Sequence, residues 1–278
     1  MITLERNPSL KGLTRINPQI PFSHVGGTEL CMEIITPQNI SGGNLPLIVF
    51  VQGSAWTHPD PYYEMTQLNR FAVEGFIVAM LRHRGIHEGN PAPAFLIDVK
   101  CGIRYLRENA SVYGIDPERV YIFGTSSGAN AALLAALTPD DPKYKSDEYP
   151  NQSDRVAAVA ECFGPTDLNW FIEQNPDFKE PFRVFCGGKF DPVLLSEMSP
   201  VNYITPERTK IPFLILHGDA DSCVPFSQSE KLVAKLEEVG ADVGFVRVKG
   251  ANHEGDFWSD DVLGIILDFF KKQAFPKK

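Results

Sequence analysis

A strand pattern that turns directly into a helix pattern is the feature that most limits how this chain can fold. Residues 119–123 are β-branched and aromatic, as strands prefer, whereas residues 129–137 are rich in Ala and Leu. Between them stands G-x-S-x-G, with Ser126 flanked by Gly124 and Gly128. A sharp strand-to-helix turn strains its middle residue and exposes that side chain above the sheet. This frame predicts that Ser126 is a nucleophile; the alternative is a tight Gly/Ser turn that only packs helix against sheet.

The rest of the chain alternates strand and helix patterns. Strands are predicted at residues 29–36, 45–52, 76–81, 119–123, 156–163, 211–216 and 243–248, and helices at residues 62–74, 95–110, 129–137, 227–239 and 262–272. Such alternation predicts an α/β fold, in which helices cover both faces of a mostly parallel central sheet. We expect one domain over residues 1–278, because α/β domains of this size are commonly single.

Residues 168–210 lack a clean periodicity and are dense in aromatic residues and prolines. A segment of that length is not expected to be structureless inside a compact domain. We predict short helices that form a partial cap, so that residues 165–210 are an insertion in the domain. Four aromatic side chains are open to interpretation as pocket walls or as ordinary core, with core preferred: Phe163, Trp170, Phe182 and Phe185.

Composition and charge bear on the partners of the chain. A net charge of −9 disfavours nucleic acid, which needs a basic face. No apolar run approaches the roughly 20 residues of a membrane helix, and residues 1–20 lack the apolar core of a signal peptide. The five cysteines are scattered without a C-x-x-C pair, which is typical of reduced thiols in a cytosolic protein. We expect a cytoplasmic protein with no nucleic-acid or membrane partner, and a homodimer stays open.

A serine nucleophile needs a base, and histidine suits this task because its unperturbed pKa is about 6.5. In a strand–elbow–helix frame of this kind the order along the chain is Ser, then Asp or Glu, then His. Of six histidines only His217 and His253 follow Ser126. His253 comes after the last predicted strand, so we assign it as the base and expect His217 to be structural. The other histidines are expected at the surface or in loops, with two that could line a pocket mouth: His58 and His87.

Two aspartates, Asp219 and Asp221, follow the strand predicted at residues 211–216. Asp221 lies further into the loop, nearer to where a histidine from the next loop would arrive. We therefore predict that Asp221 orients His253 and stabilises its imidazolium form. Asp219 is expected to shape the turn through hydrogen bonds between its side chain and the backbone.

Acyl transfer forms an oxyanion, and each backbone N–H group that faces it is worth about 3–4 kcal/mol. One predicted donor is the amide of Ser127, next to the nucleophile. The other is expected in the loop of residues 52–56, where Gly53 and small neighbours let the backbone approach a substrate closely. We assign Gly53 and Trp56 to this substrate-binding loop, and Trp56 is expected to act mainly as its packing anchor.

Several motifs accompany these candidates. They are V-Q-G-S-A-W at residues 51–56, D-V-K at 98–100 with R-Y-L-R at 104–107, G-T-S-S-G at 124–128, H-G-D-A-D at 217–221 with V-P at 224–225, and G-A-N-H at 250–253. With these motifs the chain resembles the α/β-hydrolase carboxylesterases over residues 29–270. Within them it is similar to the feruloyl/acetyl-xylan esterase-like branch called BD-FAE, and to the neighbouring hormone-sensitive-lipase-like and prolyl-oligopeptidase-like groups.

The resemblance implies an α/β-hydrolase fold with a small helical cap. In the family the second aspartate of H-G-x-x-D-x-x-V-P is the triad acid, which corresponds to Asp221. The resemblance also implies oxyanion donors at Ser54 and Ser127. The chain departs from the pattern twice: Q-G-S at residues 52–54 replaces the lipase-type H-G-G, and H-R at residues 83–84 replaces the usual Y-R.

The predicted activity is that of a metal-free serine carboxylesterase without a cofactor, acting on small to medium acyl esters. Acetyl or feruloyl esters of plant-derived sugars are implied by the resemblance alone. One other interpretation is a serine peptidase of the prolyl-oligopeptidase type, which usually brings a large extra N-terminal domain. Another is a catalytically inactive hydrolase that binds a ligand. A metal-dependent hydrolase is disfavoured, because the sequence has no H-E-x-x-H motif of the kind that binds zinc in metalloproteases.

Overall fold

The computed structural model describes residues 1–38 and 43–275, so residues 39–42 and 276–278 of the predicted domain lie outside the described residues. Its strands are β1 (Thr14–Val25), β2 (Thr28–Pro37), β3 (Leu45–Val51), β4 (Ile77–Leu81), β5 (Ile115–Thr125), β6 (Val159–Cys162), β7 (Phe213–Gly218) and β8 (Val243–Val248). Its helices are α1 (Met65–Val73), α2 (Ala94–Glu108), α3 (Ala110–Tyr113), α4 (Ser126–Leu137), α5 (Leu168–Gln174), α6 (Lys179–Phe185), α7 (Pro192–Glu197), α8 (Ser227–Glu238) and α9 (Asp260–Ala274).

The strands form one sheet in the order β1-β2-β4-β3-β5-β6-β7-β8. Strand β2 is antiparallel to β1 and to β4. The other neighbouring strands, in the order β4-β3-β5-β6-β7-β8, all pair in parallel. This order, with an antiparallel edge on a parallel sheet, is that of an α/β hydrolase. The prediction of a mostly parallel sheet with helices is confirmed.

Apolar side chains cover both faces of the sheet. On one face α1 and α9 pack through residues such as Phe71 and Phe270. On the other face α2, α4 and α8 pack together with α5, α6 and α7. Helix α4 is rich in alanine, so its backbone lies close to the sheet and is buried along nearly its whole length. In the part of the chain that the structure describes, no helix is long and apolar enough to cross a membrane.

Strand β1 is an element that the sequence patterns do not predict. It contains Pro18 and Pro21, which have no N–H group to donate to a neighbouring strand. The structure places β1 at the edge of the sheet, where only one side is paired. Its register against β2 shifts around both prolines. An edge strand tolerates such breaks, because the prolines can sit at irregular positions of the ladder.

A buried cluster of charges fixes α2 to the loop that precedes β6. Lys100 Nζ lies 3.0 Å from Asp154 Oδ1, and Arg104 Nη1 lies 3.4 Å from Asp154 Oδ2. All three side chains are fully buried. Burial lowers the pKa of Lys100, and the Asp154 carboxylate opposes that shift. Removing one partner would therefore leave charge in the interior without compensation.

We expect Asp154→Asn to lower the free energy of unfolding by about 3–5 kcal/mol, because two buried cations would lose their carboxylate. Urea denaturation at pH 7, followed by tryptophan fluorescence, measures this change. A suitable control is Glu180→Gln, which breaks the exposed ion pair with Arg183 and should leave the midpoint almost unchanged. An Asp154→Asn protein as stable as the parent would contradict the assigned role of the cluster.

Candidate active site

The turn from β5 into α4 holds Ser126 at the rim of the sheet. Ser126 has a φ of 50°, in the left-handed region that residues other than glycine seldom adopt. A Cβ atom on Gly124 would lie 2.3 Å from the carbonyl oxygen of Gly128, and one on Gly128 would lie 2.1 Å from that of Val51. Both positions therefore require glycine, and the close packing of backbone against backbone maintains the strained serine.

His253 reaches Ser126 from the loop after β8. Its Nε2 atom lies 3.0 Å from Ser126 Oγ. The side chain of Asn252 accepts hydrogen bonds from the amides of His253 and Ser222, at 2.8 Å and 2.9 Å, which ties this loop to the one after β7. The Phe163 ring meets the imidazole edge-on, with ring centroids 4.6 Å apart. The imidazole is therefore held in place from its backbone and from one face.

Asp221 lies on the far side of His253, with its side chain fully buried. Its Oδ2 atom lies 2.7 Å from His253 Nδ1, and its Oδ1 atom accepts hydrogen bonds from the amides of Cys223 and Val224, both at 2.8 Å. Burial alone would raise the pKa of Asp221, but hydrogen bonds from His217 and His253 outweigh it and hold that pKa well below its usual range. An anion at this position keeps the proton on Nδ1 and leaves Nε2 free to accept one from Ser126.

Asp219 and His217 take different roles. The carboxylate of Asp219 accepts a hydrogen bond from the Gly250 amide at 2.5 Å and pairs with Arg247, away from the imidazole of His253. His217 is fully buried at the end of β7, where a structural histidine is expected, and its Nε2 lies 3.2 Å from the same Asp221 oxygen that binds His253. Sequence reasoning missed this contact, although the four-residue spacing in H-G-x-x-D is the signal that points to it.

The loop after β3 runs directly against Ser126. A Cβ atom on Gly53 would lie 2.6 Å from the Cβ atom of Ser126. The amide of Ser54 donates a hydrogen bond to the Ser127 hydroxyl at 2.9 Å, so in this arrangement it already has an acceptor. Ala55 lines the cavity beside Ser126, and no residue in the described ranges accepts a hydrogen bond from its amide. The predicted donors at Ser54 and Ser127 stay predictions, and the structure adds Ala55 as a candidate in the same loop.

Trp56 anchors that loop and also lines the cavity. Its indole packs edge-on against Phe182 and Phe185, with centroids 5.5 Å and 4.8 Å apart, and donates a hydrogen bond to Asn130 Oδ1 at 3.3 Å. The Asn130 amide nitrogen in turn donates to the carbonyls of Pro165 and Met198, both at 3.0 Å. Asn130 lies in α4, one turn after Ser126, and sequence reasoning did not single it out.

The loop after β4 forms another wall of the cavity, through Ile86 and His87. The Arg84 guanidinium makes paired hydrogen bonds with the Asp98 carboxylate of α2, at 2.9 Å and 2.8 Å. Burial lowers the pKa of His83 to about 4, so that ring is neutral and packs as part of the interior. The H-R pair that departs from the family pattern thus fixes this loop to α2.

The cavity beside Ser126 has a volume of about 200 Å³ and is almost entirely apolar. Its aromatic walls come mainly from residues 165–185, through Phe171, Phe178, Phe182 and Phe185, and Trp56 adds a further ring beside Phe182 and Phe185. Of the four aromatic residues that were open to interpretation, Phe182 and Phe185 line the cavity. Phe163 packs behind His253, and Trp170 is half-buried with Lys231 Nζ 4.6 Å from its ring centroid. Within residues 1–38 and 43–275, no group of three or more His, Cys, Asp or Glu side chains is arranged to hold a metal ion.

The strand order and the strained serine after β5 define the class of this protein as an α/β hydrolase. The chain belongs to the BD-FAE family, whose family model matches residues 32–236. The match includes the loop after β3, Ser126 and Asp221, and it ends before the loop that carries His253.

Named relatives and solved structures point the same way. Two esterases of Mycobacterium tuberculosis, LipC and LipQ, are each 32% identical to this chain over 222 and 249 residues. Those alignments cover 76% and 85% of this chain but only 53% and 56% of the relatives, so the chain spans about half their length. A solved structure of a truncated carbohydrate esterase from gut microbiota is 26% identical, with a TM-score of 0.80 over 96% of this chain and 98% of that one.

We expect Gly128→Ala to prevent the native turn, because the new Cβ atom would overlap the Val51 carbonyl oxygen at 2.1 Å. Near-ultraviolet circular dichroism and thermal unfolding should show a strongly destabilised or unfolded protein. Gly264→Ala in α9 is the matched control, since a Cβ atom there meets nothing within 4 Å. That variant should gain up to about 1 kcal/mol from helix propensity. A native-like Gly128→Ala protein would refute the steric account of the turn.

Proposed function

We propose that this chain is a serine carboxylesterase. The observation that carries the proposal is the continuous set of hydrogen bonds from Asp221 through His253 to Ser126, at 2.7 Å and 3.0 Å, beside an apolar cavity. Geometry of this kind turns a weakly nucleophilic hydroxyl into a strong nucleophile, because the imidazole can take the hydroxyl proton as the oxygen attacks. The esterase relatives support the same reaction.

In the proposed mechanism Ser126 attacks the ester carbonyl while His253 Nε2 takes the hydroxyl proton. The Asp221 carboxylate stabilises the imidazolium that forms. The oxyanion is bound by the amide of Ser127, in the first turn of α4, and by the loop after β3. In that loop we assign Ala55 as one donor, because its amide has no acceptor among the residues that the structure describes. Ser54 becomes a second donor once the Ser127 hydroxyl rotates away. His253 then protonates the leaving alcohol and activates the water that cleaves the acyl-enzyme.

The cavity supports small to medium acyl groups as substrates. Its walls are aromatic and aliphatic, so each methylene that a substrate buries there gains about 0.8 kcal/mol until the space is filled. A volume of about 200 Å³ suits a short chain or a single aromatic ring better than a long lipid chain. The likeness to a carbohydrate esterase supports acetylated or feruloylated sugars, with the sugar outside the cavity.

We also propose that residues 1–278 form one hydrolase domain in which residues 165–210 act as the cap. Helices α5 and α6 support this assignment, because they supply Phe171, Phe182 and Phe185 to the cavity. The cap would then set the acyl preference, whereas the strand-end loops carry the chemistry. A cytoplasmic location and a homodimer stay predictions from the sequence.

We expect Ser126→Ala to lower p-nitrophenyl acetate hydrolysis by about 10⁴-fold or more, because the nucleophile is removed. The variant should keep the parent circular dichroism spectrum and lose labelling by a fluorophosphonate. Ser111→Ala, which changes an exposed serine of α3, is the control and should behave as the parent. Retained turnover in Ser126→Ala would exclude this nucleophile, and an unlabelled parent would favour an inactive binding protein.

Phe182→Ala should shift the preferred acyl group towards longer chains, because a buried ring that lines the cavity becomes a methyl group. The measurement is the ratio of kcat/KM for p-nitrophenyl octanoate to that for the acetate, which does not depend on the fraction of active protein. Phe190→Ala removes a ring of the same segment that does not line the cavity, and its ratio should not move. Equal ratios in both variants would show that Phe182 does not limit acyl length.

A further inference from the structure

The hydrogen bonds that reach Asp221 continue beyond it into the interior. His217 Nδ1 lies 2.7 Å from Ser229 Oγ, in the first turn of α8. Ser229 Oγ lies 3.5 Å from Glu161 Oε1, on β6, and this is the longest contact of the series. Glu161, Ser229 and His217 are all fully buried. A row of polar side chains therefore runs from β6 through α8 and β7 to the catalytic acid.

The partners of His217 determine which of its nitrogens carries a proton. Its Nε2 atom faces the Asp221 carboxylate at 3.2 Å and the Val224 carbonyl oxygen at 2.9 Å, and both of these groups only accept hydrogen bonds. Nε2 must therefore be protonated and must donate. In a neutral imidazole the other nitrogen then accepts, so the Ser229 hydroxyl donates to Nδ1.

The direction of the Ser229 hydroxyl places a requirement on Glu161. The Ser229 hydroxyl has a single proton, so once it donates to His217, its 3.5 Å contact with Glu161 Oε1 is a hydrogen bond only if the carboxyl group carries the proton. Burial raises the pKa of Glu161 to about 8, against a hydrogen bond from the Gly164 amide that favours the ionised form. The carboxyl is therefore protonated at neutral pH, and its second oxygen accepts from Gly164 at 2.9 Å.

We propose that Glu161, Ser229 and His217 are positioning residues for Asp221, with Glu161 fixing through Ser229 which nitrogen of His217 holds the proton. The proposal rests on the proposed function, since Asp221 matters here as the acid that serves His253. His217 occupies the second acceptor direction of the Asp221 oxygen that binds His253. Without that donor the carboxylate is free to rotate away from the imidazole it must stabilise.

An alternative distribution of the same protons would weaken the site. If Glu161 gave up its proton, Ser229 would turn its hydrogen towards the new carboxylate, and Nδ1 of His217 would lose its donor. If that proton moved to Nδ1 instead, a His217 imidazolium would stand beside Asp221. A cation there would compete with the His253 imidazolium for the same carboxylate oxygen. Both changes reduce support for proton transfer at Ser126.

Other titratable groups lie near this row, and an experiment must distinguish their ionisation from that of Glu161. Cys162 follows Glu161 on β6. Its pKa is raised well above the usual range, mainly by burial and further by three nearby carboxyl groups, Glu161, Glu254 and Glu64. Burial, together with the nearby Glu254, also raises the pKa of Glu64 to about 8. Glu64 has no hydrogen-bond contact with His217 or Ser229 among the described residues. Glu64 is therefore a suitable control for Glu161, because its pKa is raised to a similar value but it lies outside the row.

The test compares Ser229→Ala, Glu161→Gln and Glu64→Gln, with kcat and KM measured for p-nitrophenyl acetate from about pH 6 to 10. Ser229→Ala should lower kcat about tenfold or more and leave KM unchanged, as loss of an orienting hydrogen bond does. Glu161→Gln should keep kcat within about twofold at pH 7, because an amide can donate to Ser229 and accept from Gly164 as the protonated acid does.

The pH profile separates positioning from mere packing. The raised pKa means that Glu161 ionises only as the pH rises through about 8, so parent kcat should fall above that pH. Glu161→Gln should remove this fall, and Glu64→Gln should retain it. A Glu161→Gln enzyme as impaired at pH 7 as Ser229→Ala would overturn the proposal. So would a fall that persists in Glu161→Gln and disappears in Glu64→Gln.

A second readout does not depend on turnover. In nitrogen-15 spectra of the folded chain, His217 should show a protonated Nε2 and an unprotonated Nδ1. Ser229→Ala should move the low-field Nδ1 proton resonance of His253, because the carboxylate between them shifts. A protonated Nδ1 on His217, or an unmoved resonance, would overturn the proposal even if Ser126→Ala had already excluded the esterase mechanism.

Discussion

The arrangement of this site depends on one buried carboxylate that is fully supplied with donors. Asp221 receives hydrogen bonds from the Cys223 and Val224 amides on one oxygen and from His253 and His217 on the other. Moving a carboxylate out of water costs several kcal/mol, which only well-placed donors offset. All four donors come from the end of β7, the turn after it and the loop after β8. The anion is therefore stable only where these segments are packed together.

That packing relies on close approach of backbone to backbone, as the turn at Ser126 also does. A Cβ atom on Gly218, at the end of β7, would lie 2.3 Å from the carbonyl oxygen of Ala251. The loop that carries His253 thus rests directly on the strand that leads to Asp221. Between the neighbouring strands β3 and β5, Gly128 packs in the same way against the end of β3. Glycines at these two contacts let adjacent strand ends bring their loops within hydrogen-bonding distance.

Much of the fold and of the candidate site was predictable from the sequence because the signals are local. Buried strands read as apolar runs, and β8 spans the residues that its pattern predicts. Ser126, Asp221 and His253 each follow a predicted strand, and parallel order alone sends those strand ends to one rim. Strand β1 was not predicted, because its two prolines are unusual in a strand. The helix predicted at residues 95–110 is divided into α2 and α3, whose break at Asn109 leaves no mark in the apolar spacing.

The contacts that sequence reasoning missed are hydrogen bonds between side chains of different elements. His217 was recognised as a strand-end residue, but nothing in its neighbourhood along the chain points to Ser229 in α8 or to Glu161 in β6. Asn130 reads as an ordinary polar residue within an alanine-rich helix. Such roles depend on distances across the core, which residue spacing does not encode.

The bonds of Asn130 have a consequence for how this scaffold can change. Its amide nitrogen holds the carbonyls of Pro165 and Met198, one near each end of the segment that roofs the cavity. Both carbonyls are bound by α4, the helix that begins at Ser126, so the two ends of the stretch between them are fixed independently of its sequence. Substitutions in that stretch can therefore change the walls of the cavity while Ser126, His253 and Asp221 keep their places.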